Sequence, residues 1–109
     1  LLGVDRSNEK VAEFYLPHHP AVLRALDRVV SSARRNHKEV SVCGDMAHQT
    51  RYISFLLGIG IRDLSMDVSY LPAVRHFISQ ISMAAAEELA RSLLSKDSIS
   101  EISSILEPA

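Results

Sequence analysis

Residues 40–44 read Val-Ser-Val-Cys-Gly, a short run of β-branched residues that ends at a glycine. Such a run predicts a short buried strand, and the glycine predicts where the strand ends. On either side, apolar residues recur at helical spacing. After Pro20 they form one stripe of Val22, Leu26, Val29, Val30 and Ala33, and over residues 48–57 the side chains predicted to face inward are Tyr52, Ile53, Leu56 and Leu57. Pro20 suits the first position of a helix, because the N–H that proline lacks would have no partner there. A strand between two helices indicates an α/β fold.

The same alternation continues in both directions along the chain. Residues 1–4 are predicted to be the end of a strand and residues 64–66 another strand, while Gly58 and Gly60 end the second helix and Pro72 opens a third. Residues 83–95 are predicted to be helical, and the capping-box residue Ser98 predicts a last short helix. Helices that alternate with strands favour a parallel sheet with right-handed crossovers. The periodicity alone fits an open doubly wound sheet as well as part of a barrel.

A small parallel sheet with exposed edges favours the barrel, because parallel strands need neighbours and cover on both faces. We therefore predict the C-terminal portion of a (β/α)8 barrel, with about three parallel strands and their helices. Residues 1–82 would form this part of the barrel, and residues 83–109 would form a C-terminal helical extension.

The composition narrows the functional classes. The chain has 109 residues, 47% of them hydrophobic and 23% charged, with a net charge of −1. This charge does not favour nucleic acid or an anionic membrane, and no apolar run approaches the roughly 20 residues of a membrane span. The chain opens without Met and without a recognisable signal peptide, so we expect a fragment of a longer protein. The single cysteine fits a reducing compartment, and we expect a cytoplasmic location.

Polar residues follow each of the predicted strands, where ligands bind in barrels. The three segments are 5–8 (Asp-Arg-Ser-Asn), 43–45 (Cys-Gly-Asp) and 66–69 (Met-Asp-Val-Ser). Arg6 offers a planar fork for phosphate or carboxylate, or else a salt bridge to Asp5. Cys43 is either a reactive thiol or a buried small hydrophobe. Asp45 either holds the thiol or a water, or charges the start of the next helix.

The histidines point to no site of their own. We predict that all five, His18, His19, His37, His48 and His76, are surface or helix-capping residues, because none has metal-ligand spacing. A phosphate-binding glycine loop is not formed by residues 58–60, which lack a third glycine and a lysine.

Several segments resemble the barrel domain of the enzyme I family of the phosphoenolpyruvate (PEP):sugar phosphotransferase system. They occur in the family's order, as residues 3–8 (Gly-Val-Asp-Arg-Ser-Asn), 19–23 (His-Pro-Ala-Val-Leu), 42–47 (Val-Cys-Gly-Asp-Met-Ala), 56–60 and 64–66. The likeness runs from residue 1 to about residue 80. The first and third segments are typical of PEP-utilising enzymes in general. The second favours enzyme I, or its nitrogen-related paralogue, over pyruvate phosphate dikinase and PEP synthase.

The resemblance implies a transferase that takes the phosphoryl group of PEP onto a histidine of a separate N-terminal domain. It then passes that group to the histidine-containing phosphocarrier protein HPr. Mg²⁺, with ligands outside this chain, and a homodimer are implied as well. By position, Arg6 would bind the phosphate of PEP and Cys43 would protonate the enolate of pyruvate. Asp45 and Asn8 are candidates for residues that support these two.

The chain also departs from the family. It has Ser7 where Gly is common and Asp45 where Glu is common, which shortens the carboxylate by one methylene. The phosphohistidine segment and the acidic metal ligands are not in this sequence, so we expect the isolated chain to be inactive and to bind PEP poorly. The alternatives are a relative of pyruvate phosphate dikinase or PEP synthase, and a non-catalytic interaction domain with the helices beyond Ile81 as partner surface. Those helices could equally pack on the barrel or dimer.

Overall fold

In the computed structural model, which describes residues 1–107, five α-helices pack around a two-stranded sheet. The helices are α1 (Pro20–Arg35), α2 (Thr50–Ile59), α3 (Leu71–Ser79), α4 (Met83–Leu94) and α5 (Ile99–Leu106). The strands are β1 (Ser41–Val42) and β2 (Asp63–Leu64), and short 3₁₀ helices cover Glu9–Phe14, Asp45–Ala47 and Val68–Tyr70.

The two strands are parallel, as predicted. Ser41 lies opposite Asp63 and Val42 opposite Leu64, and the N–H of Ser65 continues the ladder by donating to the carbonyl of Val42 at 2.8 Å. Helix α2 connects the strands, so the order strand, helix, parallel strand confirms the α/β class. Because the strands run in the same direction, their carboxyl ends open at the same edge of the sheet.

The predicted strand at residues 1–4 does not form. Gly3 adopts a left-handed conformation with φ of 66°, which breaks an extended run, and Leu1 is 89% exposed. The sheet within residues 1–107 therefore has two strands, where the sequence predicted about three.

Side chains and glycines set the helix ends. The imidazole of His19 accepts from the N–H of Ala21 and caps α1, and the side chain of Ser98 accepts from the N–H of Glu101 and caps α5, both as predicted. Gly60 ends α2 with a left-handed φ of 113°.

The prediction that Gly58 also ends α2 is wrong, because Gly58 lies inside the helix, which continues to Ile59. A Cβ at Gly58 would lie 2.2 Å from the carbonyl oxygen of Ala86 and 2.8 Å from Cβ of Ala90. The missing side chain thus lets α4 lie directly against α2.

Helix α2 forms the centre of the core. Its buried side chains are Tyr52, Ile53, Phe55, Leu56, Leu57 and Ile59. Helix α4 adds Ala86, Ala90 and Leu93, so the first helix of the predicted extension shares the core of the sheet and α2. The last two residues of that extension, 108 and 109, lie outside the described residues. None of the helices described between residues 1 and 107 has the length and apolar character needed to cross a membrane.

One apolar position of α1 was predicted wrongly. Val29 was placed on the inward stripe, yet it is 57% exposed, while the unpredicted Leu23 is buried with Val30. Leu23 and Val30 lie two helical turns apart, and this spacing defines the face that α1 presents to the core.

Candidate active site

The two strands deliver two loops to one edge of the sheet. Cys43, Gly44 and Asp45 follow β1 directly, and the 3₁₀ helix Asp45–Ala47 leads from there into α2. The segment from Ser65 to Tyr70 follows β2 and leads into α3. The segment that follows β1 and the one that follows β2 therefore lie on the same side, as predicted for parallel strands.

A cavity of about 750 Å³ lies between the N-terminal segment, α1 and the end of β1. Asp5 lines it from the N-terminal segment, and Val42, Gly44 and Asp45 line it from the end of β1. Most of the remaining wall is apolar and includes Leu26 from α1. The first two predicted site segments thus border a common space, although residues 1–4 form no strand.

Arg6 lies in an exposed turn, directly after the cavity-lining Asp5. The alternative salt bridge to Asp5 is not seen, because the Asp5 carboxylate accepts instead from the N–H of Ser7 at 2.9 Å. Within residues 1–107 the guanidinium of Arg6 forms no ion pair. Asn8, a predicted supporting residue, caps the 3₁₀ helix Glu9–Phe14 by accepting from the N–H of Lys10 at 3.0 Å.

Cys43 is exposed, so its alternative reading as a buried small hydrophobe is wrong. It lies between Val42 and Gly44, which both line the cavity. A Cβ at Gly44 would meet no atom within 4 Å, so the space beside the Cys43 backbone is open. Asp45 begins the following 3₁₀ helix, and its Oδ1 lies 3.8 Å from Nε2 of His48. The loop after β1 therefore holds a thiol, a carboxylate and an imidazole within a few residues.

The imidazole of His48 lies flat on the ring of Tyr70. The ring centres are 3.9 Å apart and the ring planes differ by 7°. Tyr70 belongs to the loop after β2, so this contact joins the two loops at the site. This contact could not be predicted from the sequence, because each residue lies in a predicted loop or helix start with no periodic pattern.

His18 is not a surface or capping residue as predicted, since it is only 8% exposed. Its Nδ1 lies 3.0 Å from the hydroxyl of Tyr52, and its Nε2 lies 3.0 Å from Oγ of Ser103. Burial lowers the pKa of His18, and the positive charge of Arg51 lowers that pKa further. One signal could have pointed to such a partner: Tyr52 was predicted to face inward, and a buried tyrosine hydroxyl usually needs a hydrogen bond.

The described residues do not fit a Mg²⁺ site. Across residues 1–107, no three side chains of His, Cys, Asp or Glu come together as metal ligands. Residues 1–107 therefore do not form a Mg²⁺ site by themselves.

Comparison with known proteins identifies a family whose match includes all three predicted site segments. The family model of the PEP-utilising enzymes, PEP-binding domain, matches residues 1–83. The multiphosphoryl transfer protein 1 of Escherichia coli is 38% identical over 106 residues, which are 97% of this chain and 13% of that protein. The phosphoenolpyruvate-protein phosphotransferase of Priestia megaterium is 37% identical over 101 residues, 93% of this chain and 18% of that protein. The one from Haloferax volcanii is 35% identical over 106 residues, 97% of this chain and 19% of that protein. The chain thus spans less than a fifth of the length of each of these relatives.

Proposed function

The chain belongs to the family of PEP-utilising enzymes, through their PEP-binding domain, and on this premise we propose that it is part of a PEP-protein phosphotransferase of the enzyme I type. The observation that carries the proposal is that Asp5, next to Arg6, and Gly44, next to Cys43, line the same cavity. These are the two segments whose residue types match a phosphate-binding fork and a proton donor.

The first step needs fixed positive charge on the phosphate of PEP. The guanidinium of Arg6 supplies two parallel N–H donors to phosphate oxygens, and it needs no proton transfer to do so. As the bond between the enol oxygen and phosphorus breaks, the phosphoryl group moves to a histidine nitrogen outside this chain. Positive charge that is already in place stabilises the equatorial oxygens of the moving group.

The second step converts the enolate into pyruvate by protonation at carbon. Departure of the phosphoryl group leaves an enolate, whose terminal carbon must take up one proton. A thiol that carries its proton can serve as the general acid for this step. Cys43 gives its proton to that carbon, pyruvate forms, and water returns a proton to the thiolate.

The cavity next to Arg6 and Cys43 has a mainly apolar wall. Apolar side chains such as Leu16, Leu26 and Met46 line much of the cavity. Asp45 and Asn8 are proposed to support the two reacting groups from the ends of their loops.

The remaining proposed features concern the longer protein that carries this chain. We propose a (β/α)8 barrel completed by residues beyond this chain, a homodimer, a cytoplasmic location, and Mg²⁺ held by ligands outside this chain. HPr is the proposed acceptor of the phosphoryl group. The names of the relatives support phosphoryl transfer from PEP in general.

The test uses the longer protein that carries this chain and measures transfer of labelled phosphoryl from PEP to HPr. We expect Arg6→Gln to lower kcat/KM for PEP about 100-fold or more, because the phosphate loses a charged fork. Arg28→Gln is the matched control, since Arg28 is an exposed arginine of α1, and it should stay within about twofold of wild type. Equal activity of the two variants would contradict the proposal. A wild-type protein without PEP-dependent transfer would favour the non-catalytic interaction domain.

A further inference from the structure

The stack of His48 on Tyr70 is the one side-chain contact described above that joins the loop after β1 to the loop after β2. Its ring centres lie 3.9 Å apart, and the planes are nearly parallel. Nε2 of the same imidazole lies 3.8 Å from Oδ1 of Asp45. Asp45, His48 and Tyr70 thus form a continuous chain of contacts that starts two residues after Cys43.

The backbones of His48 and Tyr70 are each held by a short hydrogen-bonded turn. The N–H of His48 donates to the carbonyl of Asp45 at 3.3 Å, and the neighbouring Ala47 is fully buried. On the other side, the N–H of Tyr70 donates to the carbonyl of Asp67 at 3.1 Å. The Asp67 carboxylate accepts from the N–H of Ser69 at 2.9 Å, which fixes the same turn. The two rings therefore meet from anchored backbones.

Cys43 itself has little to fix its direction. Its side chain is exposed, and within residues 1–107 the thiol has no hydrogen-bond partner. The position of the sulfur thus depends on the backbone of residues 43–45. A displacement of about 1 Å in a reacting group can cost about a hundredfold in rate, so that backbone must be held.

We propose that His48 and Tyr70 are positioning residues that hold the loop of Cys43 against the loop after β2, and so fix the direction from which the thiol delivers its proton. The inference rests on the proposed function. It predicts an effect on the protonation step and little effect on binding of the PEP phosphate, because Arg6 lies on the N-terminal segment.

The test uses the longer protein that carries this chain and two readouts. The first is exchange of the pyruvate methyl protons with D₂O, followed by NMR, which isolates proton transfer at carbon. The second is the split between kcat and KM for PEP. Because the loop of Cys43 loses the ring against which His48 packs, Tyr70→Ala should lower the exchange rate and kcat about two- to tenfold and leave KM nearly unchanged. His48→Ala should do the same.

Tyr70→Phe keeps the ring and should restore most of the exchange rate, which separates stacking from the hydroxyl. Val68→Ala is the matched control in the same loop, because Val68 is 76% exposed, and it should behave like wild type. The inference is overturned if Tyr70→Ala exchanges protons as fast as Tyr70→Phe, or if its main effect is on KM. If instead wild type and Cys43→Ala show the same exchange rate, the proposed function itself fails.

Discussion

The Nδ1 atom of His18 lies 3.0 Å from the hydroxyl of Tyr52, and both residues are buried. The other ring nitrogen lies 3.0 Å from Oγ of Ser103 in α5. One imidazole therefore joins the N-terminal segment that carries Arg6, the helix that follows the Cys43 loop, and the C-terminal helix. This link makes His18 part of the framework behind the site.

Because His18 is buried, we expect the free energy of unfolding to fall in acid. Because the pKa of His18 is lowered in the folded state, below its ordinary value of 6.5, the unfolded chain binds this proton more readily. The stabilisation is therefore complete above pH 6.5 and is lost as the pH falls below 6.5 toward the lowered pKa. In urea unfolding at pH 7.5, 6.5 and 5.5, wild type should lose more stability than His18→Gln. The exposed His76→Gln should follow wild type, and parallel curves for wild type and His18→Gln would refute the prediction.

The hydroxyl of Tyr52 should matter on its own. Tyr52→Phe leaves a ring nitrogen of His18 without its partner in a buried place, which costs about 1–3 kcal/mol of the free energy of unfolding. Tyr15→Phe is the matched control, because Tyr15 is 38% exposed, and it should cost less than about 0.5 kcal/mol. Chemical denaturation at pH 7.5 measures both. Equal stability of the two variants would show that the hydrogen bond contributes nothing.

Gly58→Ala should destabilise the chain although alanine favours helices by about 1 kcal/mol over glycine. The new methyl group would lie 2.2 Å from the backbone oxygen of Ala86, which no side-chain rotation relieves. Overpacking of this kind costs about 1–3 kcal/mol. Gly44→Ala places its methyl group in open space, and it should leave the thermal midpoint nearly unchanged. A higher midpoint for Gly58→Ala would mean that α4 does not lie as close to α2 as described.

The sequence was informative where periodicity and local chemistry set the structure. β-branched residues at 40–42 predicted β1, and Pro20 and Ser98 predicted the starts of α1 and α5, because a cap or a fixed φ acts within one turn. Gly58 was misread because a glycine can end a helix or admit a neighbouring helix. Which of the two roles Gly58 has depends on its contact with Ala86, which is distant in sequence.

The same distinction applies to the site. Positions after strands were predictable, because parallel strands bring their carboxyl ends to one edge. Contacts between loops were not, because nothing in the local pattern pairs His48 with Tyr70 or His18 with Ser103. Residues 1–4 failed as a strand because backbone pairing requires a partner, and the apolar pattern of a strand does not show whether one is present.

The chain alone should bind PEP weakly. Arg6 is the cationic side chain next to the cavity-lining Asp5, and the further charges that phosphoryl transfer needs are proposed to lie outside residues 1–109. Calorimetric titration of the 109-residue chain with PEP should give a Kd in the millimolar range or above, corresponding to about −4 kcal/mol or weaker. A micromolar Kd would show that this chain carries a complete PEP site.

The most direct test of the account is the rate of pyruvate formation from PEP by the longer protein that carries Cys43→Ala, with HPr as acceptor. Removal of a general acid typically costs about 10²- to 10⁴-fold, so we expect turnover to fall by at least 100-fold while the variant keeps the fold of wild type. Turnover equal to that of wild type would mean that the thiol does not protonate the enolate.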